Sequence, residues 1–277
     1  MKIRDIKLIK VLGLALYGSL AASNRYRLGQ YIPGLEQHGI SLQMNDLLGN
    51  LYLSQRFQGK SIPVAYILKK MLQRSRLLLS KNDYDLIILH CELFPLMPWW
   101  IEGILLNKPY IYDFDDAFYM KYRQKRFVSV NPFLKNKFDK VITNASAITA
   151  GNHSLVNYSR TFNWNANYLP TVVDTDRYVA IKKEKCDDFT IGWIGAPSTA
   201  QYLTELIEPL TRLAKFANVR FVVVGGHAPL IPNMEVIELA WSEFTEVDII
   251  NTFDVGVMPL PDDEWARGKC AFKLIQY

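Results

Sequence analysis

The sequence predicts an α/β protein with two parallel sheets in tandem, the second of them incomplete. Three observations predict it. Short apolar runs of strand length alternate with helix-period segments from the start to about residue 174. A polar, charged, aperiodic stretch, "TDRYVAIKKEKCDD", then fills positions 175–188. Beyond it the alternation restarts and stops at Tyr277 before closing helices appear. Such alternation means parallel strands joined by helical crossovers, because parallel neighbours cannot be joined by a tight turn. The expected organisation is an N-terminal domain over 1–174, a linker over 175–188 and a partial C-terminal domain over 189–277.

The first element is a strand, Lys7 to Leu16. "KIRDIKLIKVLGLALYGSLAAS" mimics a secretory leader, with a basic start, an apolar run and small residues. Tyr17, Gly18 and Ser19 interrupt that run, and "YRLGQYIPGLEQHG" follows with no polar gap, which favours a buried strand, a turn and a helix from about Asn24 to Gly39. The strand "ISLQMNDL" comes next. "VAYILKKMLQRSRLLL" sets Val64, Ile67, Leu68, Met71 and Leu72 on one helical face, expected to be buried, and "YDLIILH" follows as a strand. "PWWIEGILLN" reads as a helix, "KPYIYDFDD" as a strand, and "KFDKVITNA", "SAITAG" and "ANYLPTVVD" continue the rhythm. In the second half the order is "FTIGWIG", a helix from Thr199 to about Phe216, "VRFVVVGG", "MEVIELA", "WSEFTEVDIINTF" and "DVGVMPL".

Composition bounds the function. With 49% hydrophobic and 21% charged residues, the chain can bury a core, and its composition is that of a globular rather than a disordered protein. A formal charge of +5, spread rather than massed, favours an anionic small ligand or an acidic membrane surface over nucleic acid. Two basic stretches, "KKMLQRSR" and "KYRQKRF", could touch acidic lipid or simply be solvated helix faces. No other apolar run approaches the roughly 20 residues that span a bilayer. The expected location is the cytoplasm, with peripheral contact at the inner face of the membrane left open. Cys91, Cys186 and Cys270 show no metal-ligand spacing and read as small buried hydrophobes.

Three clusters could carry chemistry. In "IGWIGAPSTAQYLTELIEPL" a strand ends at Gly195, Ser198 is placed to cap the next helix with Gln201 completing a capping box, and Leu203, Leu206, Ile207, Leu210, Leu213 and Ala214 line its buried face. A helix start after a glycine turn suits a phosphate, although a plain strand-to-helix turn looks the same. Lys269 and Lys273, four apart, share a face of an expected terminal helix and could complete a diphosphate clamp. Asp113, Asp115 and Asp116 crowd one strand end; one could act as a base or stabilise a cation, two could hold a metal, or the group could cap a helix. Arg25 and Arg27 open the first helix, where they could bind an anionic acceptor.

In order along the chain, "SNRYRLGQYIPGLEQHGI", "YDLIILHCELFPL", "KPYIYDFDDAFY", "ITAGNHSLVNYSR", "YLPTVVDTDRY", "IGWIGAPSTAQYL" and "FDVGVMPLPDDEWARGKCAFKLIQY" resemble bacterial glycosyltransferase family 4, of GT-B fold. The resemblance implies two Rossmann-like domains facing across a cleft and a retaining sugar transfer from a nucleotide-diphosphate sugar to a glycan or lipid-linked acceptor in polysaccharide synthesis. It implies the donor mainly on the C-terminal domain, the acceptor mainly on the N-terminal one, no metal, and no cofactor beyond the nucleotide sugar as co-substrate. Asp115 stands where many members carry a histidine. The family's two spaced glutamates correspond to Gly268 and Gln276, and its phosphate-binding Arg and Lys are missing from "GAPSTAQ", leaving Lys269 and Lys273 as substitutes beside Gly195, Ser198 and Thr199. The family's next segments would finish the second sheet, so the resemblance also implies a C-terminally truncated member, possessing the enzyme's fold with or without its activity. A non-catalytic nucleotide-sugar-binding or assembly subunit is the alternative. A dinucleotide oxidoreductase is disfavoured, since no G-x-G-x-x-G follows either domain's first strand.

Overall fold

The computed structural model describes residues 8–80, 84–124, 129, 131–181 and 188–277. Lys7 and the basic start of the leader-like stretch, residues 125–127 of "KYRQKRF", and Cys186 with the rest of 182–187 in the expected linker lie outside the described residues. The chain divides into two compact units, the first reaching to Thr171 and including Arg267–Cys270, the second comprising Val172–Ala266 and Ala271–Tyr277.

The first unit carries a six-stranded parallel sheet of β1 (Ile9–Ala15), β2 (Ile40–Asp46), β3 (Leu86–His90), β4 (Tyr110–Phe114), β5 (Ala147–Ala150) and β6 (Ala166–Tyr168), in the order β2-β1-β3-β4-β5-β6. Runs such as "VLGLA" and "YIYDF" supply strands buried on both faces, as a helix-covered parallel sheet requires. Leu12, Leu14, Leu89, Tyr112, Phe114 and Ile148 are almost fully buried in its core. The chain moves one way from β1 to β2 and the other way from β3 onward, so a topological switch lies between β1 and β3.

The helix Val64–Leu79 packs by a different face from the expected one. Val64, Leu68 and Leu72 are exposed, whereas Arg74 and Leu78 are buried. The reason is Arg74. Its guanidinium donates to Ala15 O (2.6 Å), Asn45 O (2.6 Å), Asn45 Oδ1 (2.9 Å) and Leu93 O (3.2 Å), so one side chain ties the ends of β1 and β2 to the loop after β3. Burial lowers its pKa to about 9. Within "KKMLQRSR", Arg74 is thus buried, while Lys69 and Arg76 are exposed.

The same loop is anchored by a second buried network. Lys137 Nζ lies 2.7 Å from Glu92 Oε1 and 2.9 Å from Glu102 Oε1, and donates to Phe94 O at 2.6 Å. Two ionised carboxylates against one ammonium would leave an excess negative charge in the core. Burial accordingly pushes the Glu102 carboxyl up to about 7, despite the Lys137 charge.

The second unit has a four-stranded parallel sheet of β7 (Phe189–Ile194), β8 (Val219–Val224), β9 (Glu235–Leu239) and the short β10 (Val255–Gly256), ordered β10-β7-β8-β9. Its switch lies between β7 and β10. The expected α-helix from Thr199 to Phe216 is a 3₁₀ segment, Pro197–Leu206, followed by a short α-helix, Ile207–Leu213. Leu203 and Leu210 are buried as expected, but Leu213 is exposed because the change of helical pitch rotates the later face outward. Tyr277 is built into this sheet: its hydroxyl accepts from Ile194 N and donates to Val257 O, both at 3.2 Å. Among the described residues no helix is long and apolar enough to cross a membrane.

Candidate functional site

Each unit presents polar groups at the carboxyl ends of its strands beside its switch, where ligands of open α/β sheets collect. In the second unit, β7 ends at Ile194 and Gly195 begins the turn. A side chain at Gly195 would place its Cβ 2.5 Å from the Trp193 ring and 2.8 Å from Lys273 Cε, so only glycine lets the backbone approach both. Lys273, on the last helix Phe272–Gln276, sets its Nζ 4.8 Å over the Trp193 ring and 3.4 Å from Thr199 Oγ1. Gly195, Thr199 and Lys273 are thus brought together.

Ser198 does not form the expected cap. The residue preceding the 3₁₀ segment is Ala196, Pro197 takes the first helical position, and no side chain caps the end. Proline fits there because the first helical N–H needs no partner. Ser198 is exposed, its carbonyl accepting from Gln201 Nε2 at 3.0 Å. Lys269 and Lys273 also fail to share a helix. Ala271 sits at φ +50, a left-handed conformation that separates Lys269 from the helix starting at Phe272. Lys269 belongs to the first unit, where it lies 3.4 Å from Asp116 Oδ1.

In the first unit, register aligns His90, Asp113 and Thr149 in one row on one sheet face. Asp113 is their hub. It receives Arg27 Nε at 3.1 Å and Arg27 Nη2, His90 Nδ1 at 2.8 Å and Thr149 Oγ1 at 2.6 Å, all deeply buried except for Thr149. Arg27 Nη1 additionally donates to Leu169 O at 2.5 Å. Burial pushes the Asp113 carboxyl upward, but the hydrogen bonds and charges of His90 and Arg27 outweigh it and hold it at about 2. The same Asp113 hydrogen bond raises His90, against the effect of burial.

Arg27 therefore sits in the last turn of the helix Ala22–Arg27 and is buried against Asp113, rather than opening the helix as expected. Arg25, half-buried, donates to Ser19 O at 2.7 Å. Asp115 and Asp116 follow β4 and are partly exposed. Burial raises the Asp116 carboxyl to about 6, with Lys269 opposing and Asp115 adding to the rise; a third of the side chain still meets solvent, which tempers the effect. Cys91 Sγ lies 3.0 Å from His90 Nε2 and 3.9 Å from Asp115 Oδ1. A cavity of about 510 Å³ adjoins the row, lined by Tyr31, Leu35, Leu42, Ile88 and Ile111, with Arg27 and Asp113 among its few polar walls.

No protein-family model matches the chain, and no curated protein matches it by sequence. Solved structures do match. Sucrose-phosphate synthase from Thermosynechococcus elongatus superposes with a TM-score of 0.62 at 12% identity, covering 92% of this chain and 77% of that one. An α,α-trehalose-phosphate synthase (UDP-forming) from Burkholderia xenovorans, in complex with glucose-6-phosphate, gives 0.58 at 10% identity, covering 97% and 82%. A UDP-N-acetylglucosamine 2-epimerase gives 0.54 at 13% identity, covering 97% and 77%. The fold is the GT-B type: two Rossmann-like units with parallel sheets, the second the smaller. At these identities the likeness establishes architecture, and a fold shared by synthases and an epimerase leaves the chemistry to the site.

His90, Cys91, Thr149, Trp193 and Arg74 were not singled out as site residues from sequence. Only His90 left a signal, a histidine closing the strand "LIILH". The others are single letters inside ordinary apolar or basic runs.

Proposed function

We propose that this chain is a nucleotide-sugar-dependent glycosyltransferase that moves a sugar from a nucleoside diphosphate to a glycan or lipid-linked acceptor hydroxyl, with retention at the anomeric carbon. The observation that carries the reading is the grouping of Lys273 with the Gly195 turn and Thr199 at the switch of the second sheet. As the glycosidic bond breaks, negative charge grows on the departing diphosphate. A fixed ammonium and hydroxyl beside a backbone that can be approached closely stabilise that charge without reorganising. Gly195, Thr199 and Lys273 bind the diphosphate, with Ser198 at the outer rim.

Lys269 neutralises Asp116 instead of joining that group. Asp115, just past β4 and one strand from the switch of the first sheet, is the carboxylate assigned to the acceptor hydroxyl or to the cationic sugar, while Asp113, held by Arg27 and His90, fixes the strand end behind it. The apolar cavity over Ile88 and Ile111 suits the hydrophobic portion of an acceptor. A membrane-held acceptor agrees with the outer face of the helix Val64–Leu79, where Val64, Leu68, Leu72 and Leu79 are exposed and Lys69 and Arg76 lie alongside.

The test is transfer or hydrolysis across a panel of nucleotide sugars with wild type and Asp115→Asn. Turnover that falls at least about 100-fold in the variant, with donor affinity kept, supports the enzyme. Interconversion of the sugar without transfer would replace it with an epimerase. The non-catalytic binding subunit has one observation in its favour: Gln276 stands where the family pattern has a carboxylate, and it is buried, donating to Tyr178 OH at 2.9 Å. Donor binding without turnover would establish that reading.

A further inference from the structure

We propose that His90, Cys91 and Asp115 form a binding site for one divalent transition-metal ion, zinc by preference, at the carboxyl ends of β3 and β4. The proposal does not rest on the glycosyltransferase reading, but it shares Asp115 with it: a bound ion would occupy that carboxylate and pin the two strand-end loops, so its test reads metal binding and not turnover.

Three features of the geometry support it. One ligand atom from each residue, imidazole nitrogen, thiol sulfur and carboxylate oxygen, falls within 4.8 Å of the other two. Around a tetrahedral zinc ion, metal–nitrogen and metal–oxygen bonds of about 2.0–2.2 Å and a metal–sulfur bond of about 2.3 Å set ligand atoms roughly 3.3–3.7 Å apart, so small side-chain rotations that open the 3.0 Å Sγ–Nε2 contact and close the 3.9 Å Sγ–Oδ1 one would seat the ion. Second, successive residues of a strand point to opposite faces, so His90 and Cys91 should diverge. They converge because Cys91 adopts φ +64, a left-handed conformation unusual for a side chain with a Cβ. That bend is held at both ends: Cys91 N donates to Asp113 O, and Cys91 O accepts from Tyr112 OH, each at 2.9 Å. Backbone strain held in this way is characteristic of functional positions. Third, His90 Nδ1 is 2.8 Å from the Asp113 carboxylate, which can only accept. The proton is therefore on Nδ1, and Nε2 is directed at Cys91, the carboxylate–histidine–metal arrangement that orients a ligand ring.

The charges also match. A neutral imidazole, a thiolate and a carboxylate offset a divalent cation. The thiol proton leaves to solvent as the metal–sulfur bond forms, and the partly exposed Asp115 side leaves the fourth position for water. The thiolate and imidazole pair selects zinc over magnesium or calcium.

The experiment loads the chelator-treated full chain with Co²⁺. One equivalent should bind, with a thiolate-to-cobalt charge-transfer band and the visible bands of a tetrahedral ion, and Zn²⁺ should displace it. Cys91→Ser should abolish the charge-transfer band and Asp115→Asn should weaken binding at least about tenfold, whereas Cys270→Ser and Cys186→Ser should keep it. X-ray absorption on the zinc-loaded wild type, which needs no variant to fold, should give one sulfur scatterer at about 2.3 Å among nitrogen and oxygen. A shell without sulfur, absence of stoichiometric uptake, or a band that survives Cys91→Ser would overturn the site.

Discussion

Arg27 and Asp113, 86 positions apart in sequence, form a buried, two-pronged ion pair that joins the first helix to the centre of the first sheet. Removing one partner of such a pair strands the other charge in the interior, which costs about 3–5 kcal/mol. Asp113→Asn should lower unfolding free energy by that amount in urea titrations. Replacing both residues by apolar ones should cost less than the sum of the two single changes.

The same carboxylate sets a pH dependence. Held at about 2 in the folded protein against about 3.9 unfolded, Asp113 stabilises the fold above pH 4, and that stabilisation is lost as pH falls toward 2. Acid titration of the Asp113→Asn variant should show a shallower fall over this window than the wild type. Equal slopes would mean that another group governs it.

Glu102 acts in the opposite direction. Its carboxyl, raised to about 7, keeps a proton that the unfolded chain releases near 4.5. Its contribution is complete below pH 4.5 and disappears as pH rises through 7, a change on the order of 3 kcal/mol. Glu102→Gln can still accept from Phe94 N and Lys137, and it should flatten the stability profile between pH 4.5 and 7.

Arg74 anchors two strand ends and the loop after β3 by four hydrogen bonds to oxygen. Arg74→Leu leaves the Ala15, Asn45 and Leu93 carbonyls without that donor and should destabilise by about 3 kcal/mol or more, read by thermal and denaturant melts. Faster hydrogen exchange should appear first at the ends of β1 and β2.

The sheets were legible because buried parallel strands are written as unbroken apolar runs, and "VRFVVV" or "YIYDF" has few other solutions. The candidate site was legible in part: Gly195, Thr199 and the aspartates mark strand ends, where both punctuation and charge concentrate. What the pattern concealed has specific causes. The buried face of Val64–Leu79 turns on an arginine satisfied by carbonyl oxygens, and periodicity counts arginine as surface. The spacing of Lys269 and Lys273 suggests a shared helix face, but Ala271 takes a left-handed turn between them that no composition rule anticipates. The convergence of His90 and Cys91 depends on a similar bend.

The most direct measurement of the central claim is calorimetric titration of nucleotide-diphosphate sugars into wild type and Lys273→Met, a change that keeps the side chain's length over Trp193 and removes its charge. If Lys273 neutralises the diphosphate beside Gly195 and Thr199, affinity should fall at least about tenfold with an unchanged melting temperature, and the salt dependence of binding should weaken. Equal affinity in the two proteins would contradict it.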